Sequence, residues 1–309
     1  MGADMMPERY FTVIGVPSSA GARRSGQERG PYALRAAGLI DLLRQRGLQV
    51  RDIGNLPETA YRPDPKNPQK RNLELVGRVS RNVTTAVERA TGAASFLLIL
   101  GGDCTITIGV LAGLTAKGSS LGLVYLDGDL DLNTPETTPS GIFDGMVTAH
   151  LVGNGAGELA RIGPSYPLLP ESHLVYFGYN VGAGGIDPPE LAALAKSAAL
   201  QFPVENVRTD PVGAARQAVA ELERRADRIL VHFDIDVTNT SAVDVPHVGG
   251  LALEDAIQAL KIFVASPRCI GLVVTELNPE LDADGSVALS LARGIAECLG
   301  ADRVLPPAP

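Results

Sequence analysis

Short apolar runs alternate with longer amphipathic stretches along most of this chain. Phe11–Ile14 and Val50–Ile53 flank a helical pattern from Tyr32 to Arg46, and a second helical pattern runs from about Leu73 to Ala90. The strand Phe96–Leu100 and a helix from Thr105 to Thr115 follow. Strands near Leu121–Leu126, Leu174–Phe177, Ile229–Phe233 and Gly271–Glu276 then continue the rhythm, with helices between them. Strands joined by connections of helix length pair in parallel, and their unbroken apolar character calls for cover on both faces. The pattern predicts an α/β protein, a three-layer α/β/α sandwich on a mostly parallel, doubly wound sheet. No linker, repeat or charge block divides residues 1–309, so a single domain is expected. The Pro-containing tract Arg62–Arg71 reads as a solvated loop and Val304–Pro309 as a frayed end.

Sheets of this kind bind ligands beyond the carboxyl ends of their strands. Four polar segments stand at such ends: Gly101-Gly102-Asp103-Cys104, Asp127-Gly128-Asp129-Leu130-Asp131, Asp234-Ile235-Asp236 and Glu276-Leu277-Asn278-Pro279. Any one alone reads as a loop with helix-capping acids. Together they put crowded carboxylates at one edge, where they repel one another unless a cation sits between them. Two acidic strand ends point to a shared, two-metal hydrolytic centre.

Composition narrows the partners. A hydrophobic content of 45% with 20% charged residues excludes a disordered chain, and a net charge of -8 disfavours nucleic acid, leaving a small cationic or neutral molecule. Cys104, Cys269 and Cys298 are too few and scattered for a disulfide framework, which suggests a reducing compartment. With no signal-like apolar core and no run near the roughly 18 residues of a membrane span, a cytoplasmic, non-membrane protein is expected. A Rossmann-type nucleotide site is not expected, since no strand is followed by G-x-G-x-x-G.

In order, Gly15-Val16-Pro17, Gly26-Gln27-Glu28-Arg29-Gly30-Pro31, Gly101-Gly102-Asp103, Asp127 to Pro135, Ser140-Gly141, Phe233-Asp234-Ile235-Asp236, Val248-Gly249-Gly250 and Glu276-Leu277-Asn278-Pro279 resemble the arginase, or ureohydrolase, family. The resemblance spans about Phe11 to Gly300. It implies an arginase-like fold, a homo-oligomer (trimer or hexamer), and a bridged pair of Mn²⁺ ions that directs hydroxide at a guanidinium or amidine carbon. By position it assigns Cys104, Asp127, Asp129, Asp131, Asp234 and Asp236 as metal ligands. It gives Asn133, Thr138 and Ser140 the substrate's polar head, lets Glu276 pair with the guanidinium, and names Asp131, Asp144 and Glu276 as catalytic.

Three positions depart from the family's pattern. Cys104, Asp129 and Asp144 stand where histidines are usual, and none of His150, His173, His232 and His247 falls on a family ligand position. A fifth carboxylate leaves an excess negative charge, worth about 4 kcal/mol at an effective dielectric near 20. Selectivity can move to Mn²⁺, Mg²⁺ or Ca²⁺; Cys104 can stay a neutral thiol outside the ligand set; or a cationic substrate can meet the excess. The last two are favoured, with one metal weakly held or absent.

Asp144 is a poor acid at neutral pH unless burial raises it. Cys104 has no histidine at identifiable spacing, so nucleophilic catalysis is not expected. Tyr179-Asn180-Val181-Gly182 replaces an acidic loop, and Asn239 stands for a usual aspartate, so the pocket is reshaped and L-arginine itself is not expected. The sequence predicts C–N hydrolysis of a guanidino or amidino compound, with an N-substituted guanidine as a variant. The rival is a catalytically inactive relative acting as a binding or regulatory subunit.

Overall fold

Every predicted strand forms, and every pairing is parallel. The strands are β1 (Tyr10–Val16), β2 (Val50–Asn55), β3 (Ser95–Gly101), β4 (Leu121–Leu126), β5 (Leu174–Phe177), β6 (Leu200–Phe202), β7 (Arg228–Asp234) and β8 (Cys269–Thr275). They make one sheet in the order β2-β1-β3-β8-β7-β4-β5-β6. The computed structural model describes residues 10–91, 95–115, 118, 120–183 and 185–300; the tail Val304–Pro309 lies outside them. Apolar residues of β3 alternate between two cores, Leu98 and Leu100 facing one and Leu97 and Ile99 the other, as a sheet covered on both sides requires. Among the described residues no helix is long and apolar enough to cross a membrane.

One expectation is corrected and one strand was not foreseen. The stretch Tyr32–Arg46 is two helices, Gly30–Ala36 and Leu39–Gln45, because Gly38 adopts φ 83° and returns its N–H to the Arg35 carbonyl, closing the first helix. β6 had no apolar signature, being three residues long with Gln201 exposed at the sheet edge.

The helix Ile106–Thr115 that follows β3 is fixed by its packing against Leu73–Ala90. A methyl at Gly109 would sit 2.4 Å from the Ser80 carbonyl oxygen and 2.8 Å from Val83 Cβ. Alanine in an open helix gains about 1 kcal/mol over glycine, but overpacking a core costs about 1–3 kcal/mol. Gly109→Ala is therefore expected to destabilise the fold, and urea denaturation reads the sign.

Candidate active site

Parallel register brings the four acidic or polar strand ends side by side. Leu126 of β4 pairs Phe233 of β7, Asp234 of β7 pairs Thr275 of β8, and Leu100 of β3 pairs Val274 of β8. Asp127, Asp234, Glu276 and the Gly101–Cys104 turn therefore emerge on four adjacent central strands. The two acidic turns are built alike: Asp127 Oδ1 accepts from Asp129 N at 2.7 Å, and Asp234 Oδ1 from Asp236 N at 2.7 Å. Each turn commits one oxygen of its first carboxylate to the backbone and leaves the other for the site.

Backbone strain is concentrated here. Of three non-glycine residues with positive φ among the described residues, two are Asp131 (51°) and Glu276 (69°). Such conformations cost about 1–3 kcal/mol each and persist where the surroundings over-determine them. The Glu276 N–H bonds the Gly102 carbonyl at 2.9 Å, and Asp131 Oδ2 accepts from the buried Tyr125 hydroxyl. At Gly102 no side chain fits, since a Cβ would lie 1.8 Å from the Ser18 carbonyl oxygen.

The turns line a cleft open at the carboxyl edge of the sheet. Asp127, Asp129, Asp131, Asp144, Asp187, Glu190, Asp234, Asp236 and Glu276 line it, against one cationic lining residue among the described residues, Arg23. Asn133, Thr138 and Ser140 line it too. The predicted surface loop is exposed, as expected, but it also abuts this rim: Arg71 N bonds the Gly141 carbonyl at 2.9 Å, and a Cβ on Gly141 (φ 70°) would meet the Pro68 carbonyl oxygen at 1.8 Å.

Electrostatics on the floor are those of an uncompensated acid cluster. Burial, then repulsion by Asp236, pushes Asp127 and Asp234 well above the carboxylate range. Burial and then Asp144 do the same to Asp131 and Glu276. Asp144 is raised to about 8 by burial and by Asp103, while bonds from Cys104 N (2.8 Å) and with Glu276 pull the other way. Asp127 Oδ2, Asp129 Oδ1 and Glu276 Oε1 are buried without a hydrogen-bond partner. Orphaned oxygens on converging carboxylates are the signature of a cation site.

Among the described residues, donor atoms gather in three groups, each within 4.8 Å: Cys104, Asp127, His232 and Asp234; Cys104, Asp144 and Glu276; and Asp129, Asp236 and His247. Asp131 lines the cleft but belongs to none of them. A divalent ion suits the first and third, whose donors are carboxylate oxygens, imidazole nitrogens and a thiol.

A profile of the arginase family matches residues 9–300. The chain belongs to the arginase family. It is 30% identical over 292 residues to an arginase of Bacillus caldovelox, covering 91% of this chain and 96% of that one. It is 29% identical over 282 residues to arginase-1 of Homo sapiens, covering 88% and 86%. The crystal structure of an arginase from Bacillus cereus superposes with a TM-score of 0.85 at 28% identity, covering 95% of this chain and 99% of that one.

Within the arginase family pattern, the departures at Cys104, Asp129 and Asp144 acquire neighbours that the sequence did not reveal. His232 Nε2 lies 3.4 Å from Cys104 Sγ and 3.8 Å from Asp127 Oδ2, and burial lowers it to about 3, so the imidazole is neutral. His247 Nε2 lies 3.3 Å from Asp129 Oδ2 and 3.5 Å from Asp236 Oδ2, aligned with neither as a hydrogen bond. Burial pulls His247 down, but those two carboxylates carry it up to about 11. The expectation that imidazole is lost from this arginase-family site is thus corrected: two nitrogens reach it from other chain positions. Cys104 also has a histidine neighbour after all, yet burial and then Asp234 push its thiol well up, which disfavours a free thiolate nucleophile.

Gln27 was also missed. It is fully buried, and its Nε2 donates to Glu276 Oε2, which leaves Oε1 as the free oxygen facing the cleft.

Proposed function

We propose that this chain hydrolyses a C–N bond of a guanidino or amidino small molecule in a metal-dependent reaction. The observation that carries this is the convergence of Asp127, Asp129, Asp234 and Asp236, with Asp127 Oδ2 and Asp129 Oδ1 orphaned, on the floor of a cleft that Glu276 also lines. Divalent ions held there would supply Lewis acidity and make water nucleophilic at neutral pH. Glu276 offers its unpartnered Oε1 to a planar cation, and Gln27 fixes the carboxylate plane. Nine acidic residues against one arginine favour a cationic substrate. Asn133, Thr138 and Ser140 would hold its polar tail.

Asp144 takes the place of the proton-transferring histidine. Burial and Asp103 raise it to about 8 in the metal-free protein, and in its protonated form it would hand a proton to a departing amine. An N-substituted guanidine, whose departing amine is less basic, is a variant substrate that asks less of this donor. The test is a panel of guanidino and amidino compounds, including arginine and N-hydroxyguanidino acids, assayed for amine and urea-type products with Mn²⁺, Mg²⁺, Zn²⁺ or Co²⁺. Turnover of at least one compound, abolished by chelator, is expected. Failure of the whole panel with every ion refutes the proposal.

A further inference from the structure

The floor of the cleft holds a set of donors that no single stretch of sequence brings together. Cys104 follows β3, Asp127 follows β4, and His232 and Asp234 sit two residues apart on the same face of β7. All four are buried. Cys104 Sγ is 2.8 Å from Asp234 Oδ2 and 3.4 Å from His232 Nε2, and that nitrogen is 3.8 Å from Asp127 Oδ2. Asp127, 1% exposed, keeps Oδ2 without a hydrogen-bond partner.

His232 is held in the orientation a metal ligand needs. Its ring stacks on Tyr125 with centroids 4.3 Å apart and planes 10° from parallel, and Nδ1 is 2.9 Å from Thr107 Oγ1. With the ring proton on Nδ1 toward that hydroxyl, the Nε2 lone pair faces the Thr275 hydroxyl at 3.3 Å, the Cys104 thiol at 3.4 Å and Asp127 Oδ2 at 3.8 Å, and a metal would take the place of the Thr275 contact. This is the arrangement in which an outer hydrogen bond fixes tautomer and direction.

All four donors lie within 4.8 Å of one another, and two of the separations already suit one ion. Donors about 2.0–2.3 Å from a tetrahedral ion stand about 3.3–3.8 Å apart. The nitrogen–sulfur and nitrogen–oxygen separations of 3.4 and 3.8 Å fall in that range. The 2.8 Å contact is a thiol hydrogen bond to Asp234, whose proton leaves to solvent when a metal binds the sulfur.

Resting on the metal-dependent reading above, we propose that Cys104, Asp127, His232 and Asp234 form a sulfur–nitrogen–two-oxygen metal site that prefers Zn²⁺, Co²⁺ or Fe²⁺ to Mn²⁺ and Mg²⁺. Thiolate and imidazole favour borderline ions, whereas an all-oxygen site favours hard ones. Asp129, Asp236 and His247, which lack sulfur, are the harder neighbouring group.

The test titrates chelator-stripped full-length protein with Co²⁺. A thiolate-to-cobalt charge-transfer absorption in the near ultraviolet is expected with the first equivalent. Cys104→Ser, nearly isosteric, should bind Co²⁺ without that band, and its preference for Zn²⁺ over Mn²⁺, measured by elemental analysis after competition, should fall by about tenfold or more. His232→Gln should keep the band and weaken Co²⁺ by at least the roughly 10–100-fold that loss of a ligand's outer hydrogen-bond partner costs. Co²⁺ bound by the unsubstituted protein with no charge-transfer band overturns this site while leaving the metal-dependent reading intact. Failure to bind any divalent ion overturns both.

Discussion

Removing divalent metal is expected to lower the melting temperature far more at pH 8 than at pH 5. The cause lies in the acids of the floor: Asp127, Asp131, Asp234 and Glu276 are all raised well above their unfolded values, and Asp144 to about 8. A raised carboxyl keeps its proton in the metal-free fold where the unfolded chain has lost it. Stability is therefore present at low pH and is lost as pH climbs from about 4 toward 8. His247, raised to about 11, adds the same sign above roughly pH 6.5, where the unfolded imidazole gives up its proton. Metal ions bind the deprotonated donors, so the stabilisation they contribute grows over the same interval.

His150 acts oppositely. Buried between the Met146 carbonyl (2.6 Å) and the Ala156 N–H (3.0 Å), and lowered to about 4, it loses stability as pH falls from about 6.5 toward 4. Lying outside the three donor groups, it does so with or without metal and cancels in the difference. Scanning calorimetry with and without chelator reads the effect directly. A gap of roughly 10 °C or more at pH 8, for several kcal/mol, is expected to shrink by more than half at pH 5. A gap independent of pH would mean that the acids do not hold the ion.

Strands and acids were legible for a common reason. A central strand of a parallel sheet is apolar on both faces, so Phe96–Leu100 and Leu121–Leu126 stand out, and charges placed directly after such a run have nowhere to go but its exposed end. The histidines were hidden for two different reasons. His232 shares a face with Asp234 by simple strand alternation, a signal present in the sequence but masked by comparison with ligand positions elsewhere. His247 reaches Asp129 and Asp236 from a loop of no periodicity, so only the tertiary fold could place it. Gln27 lay inside a quoted motif, yet nothing local says that its amide crosses to Glu276. Asp131, marked as a ligand by family position, lines the cleft with one oxygen held by the Tyr125 hydroxyl, a contact no local pattern announces.

Glu276→Gln is expected to lower kcat/KM for a guanidino substrate by about two to three orders of magnitude while leaving metal stoichiometry unchanged. Replacing one partner of a buried, hydrogen-bonded charge pair costs about 2–5 kcal/mol, and the glutamine keeps the volume. The carboxylate's two oxygens are already divided: Gln27 donates to Oε2, and Oε1 is buried with no partner in the protein. In the variant an amide N–H₂ would face either Gln27 Nε2 or the incoming guanidinium, donor against donor, so one contact is lost whichever way the amide turns. Asp144 and Glu276 lie close enough to bias each other's ionisation, so the pH profile of any residual activity should shift as well. Gln27→Leu removes the orienting donor but keeps the charge, and a smaller loss of about tenfold, for one hydrogen bond to a charged group, is expected. Equal losses in the two variants would show that Glu276 acts through packing and not through its charge.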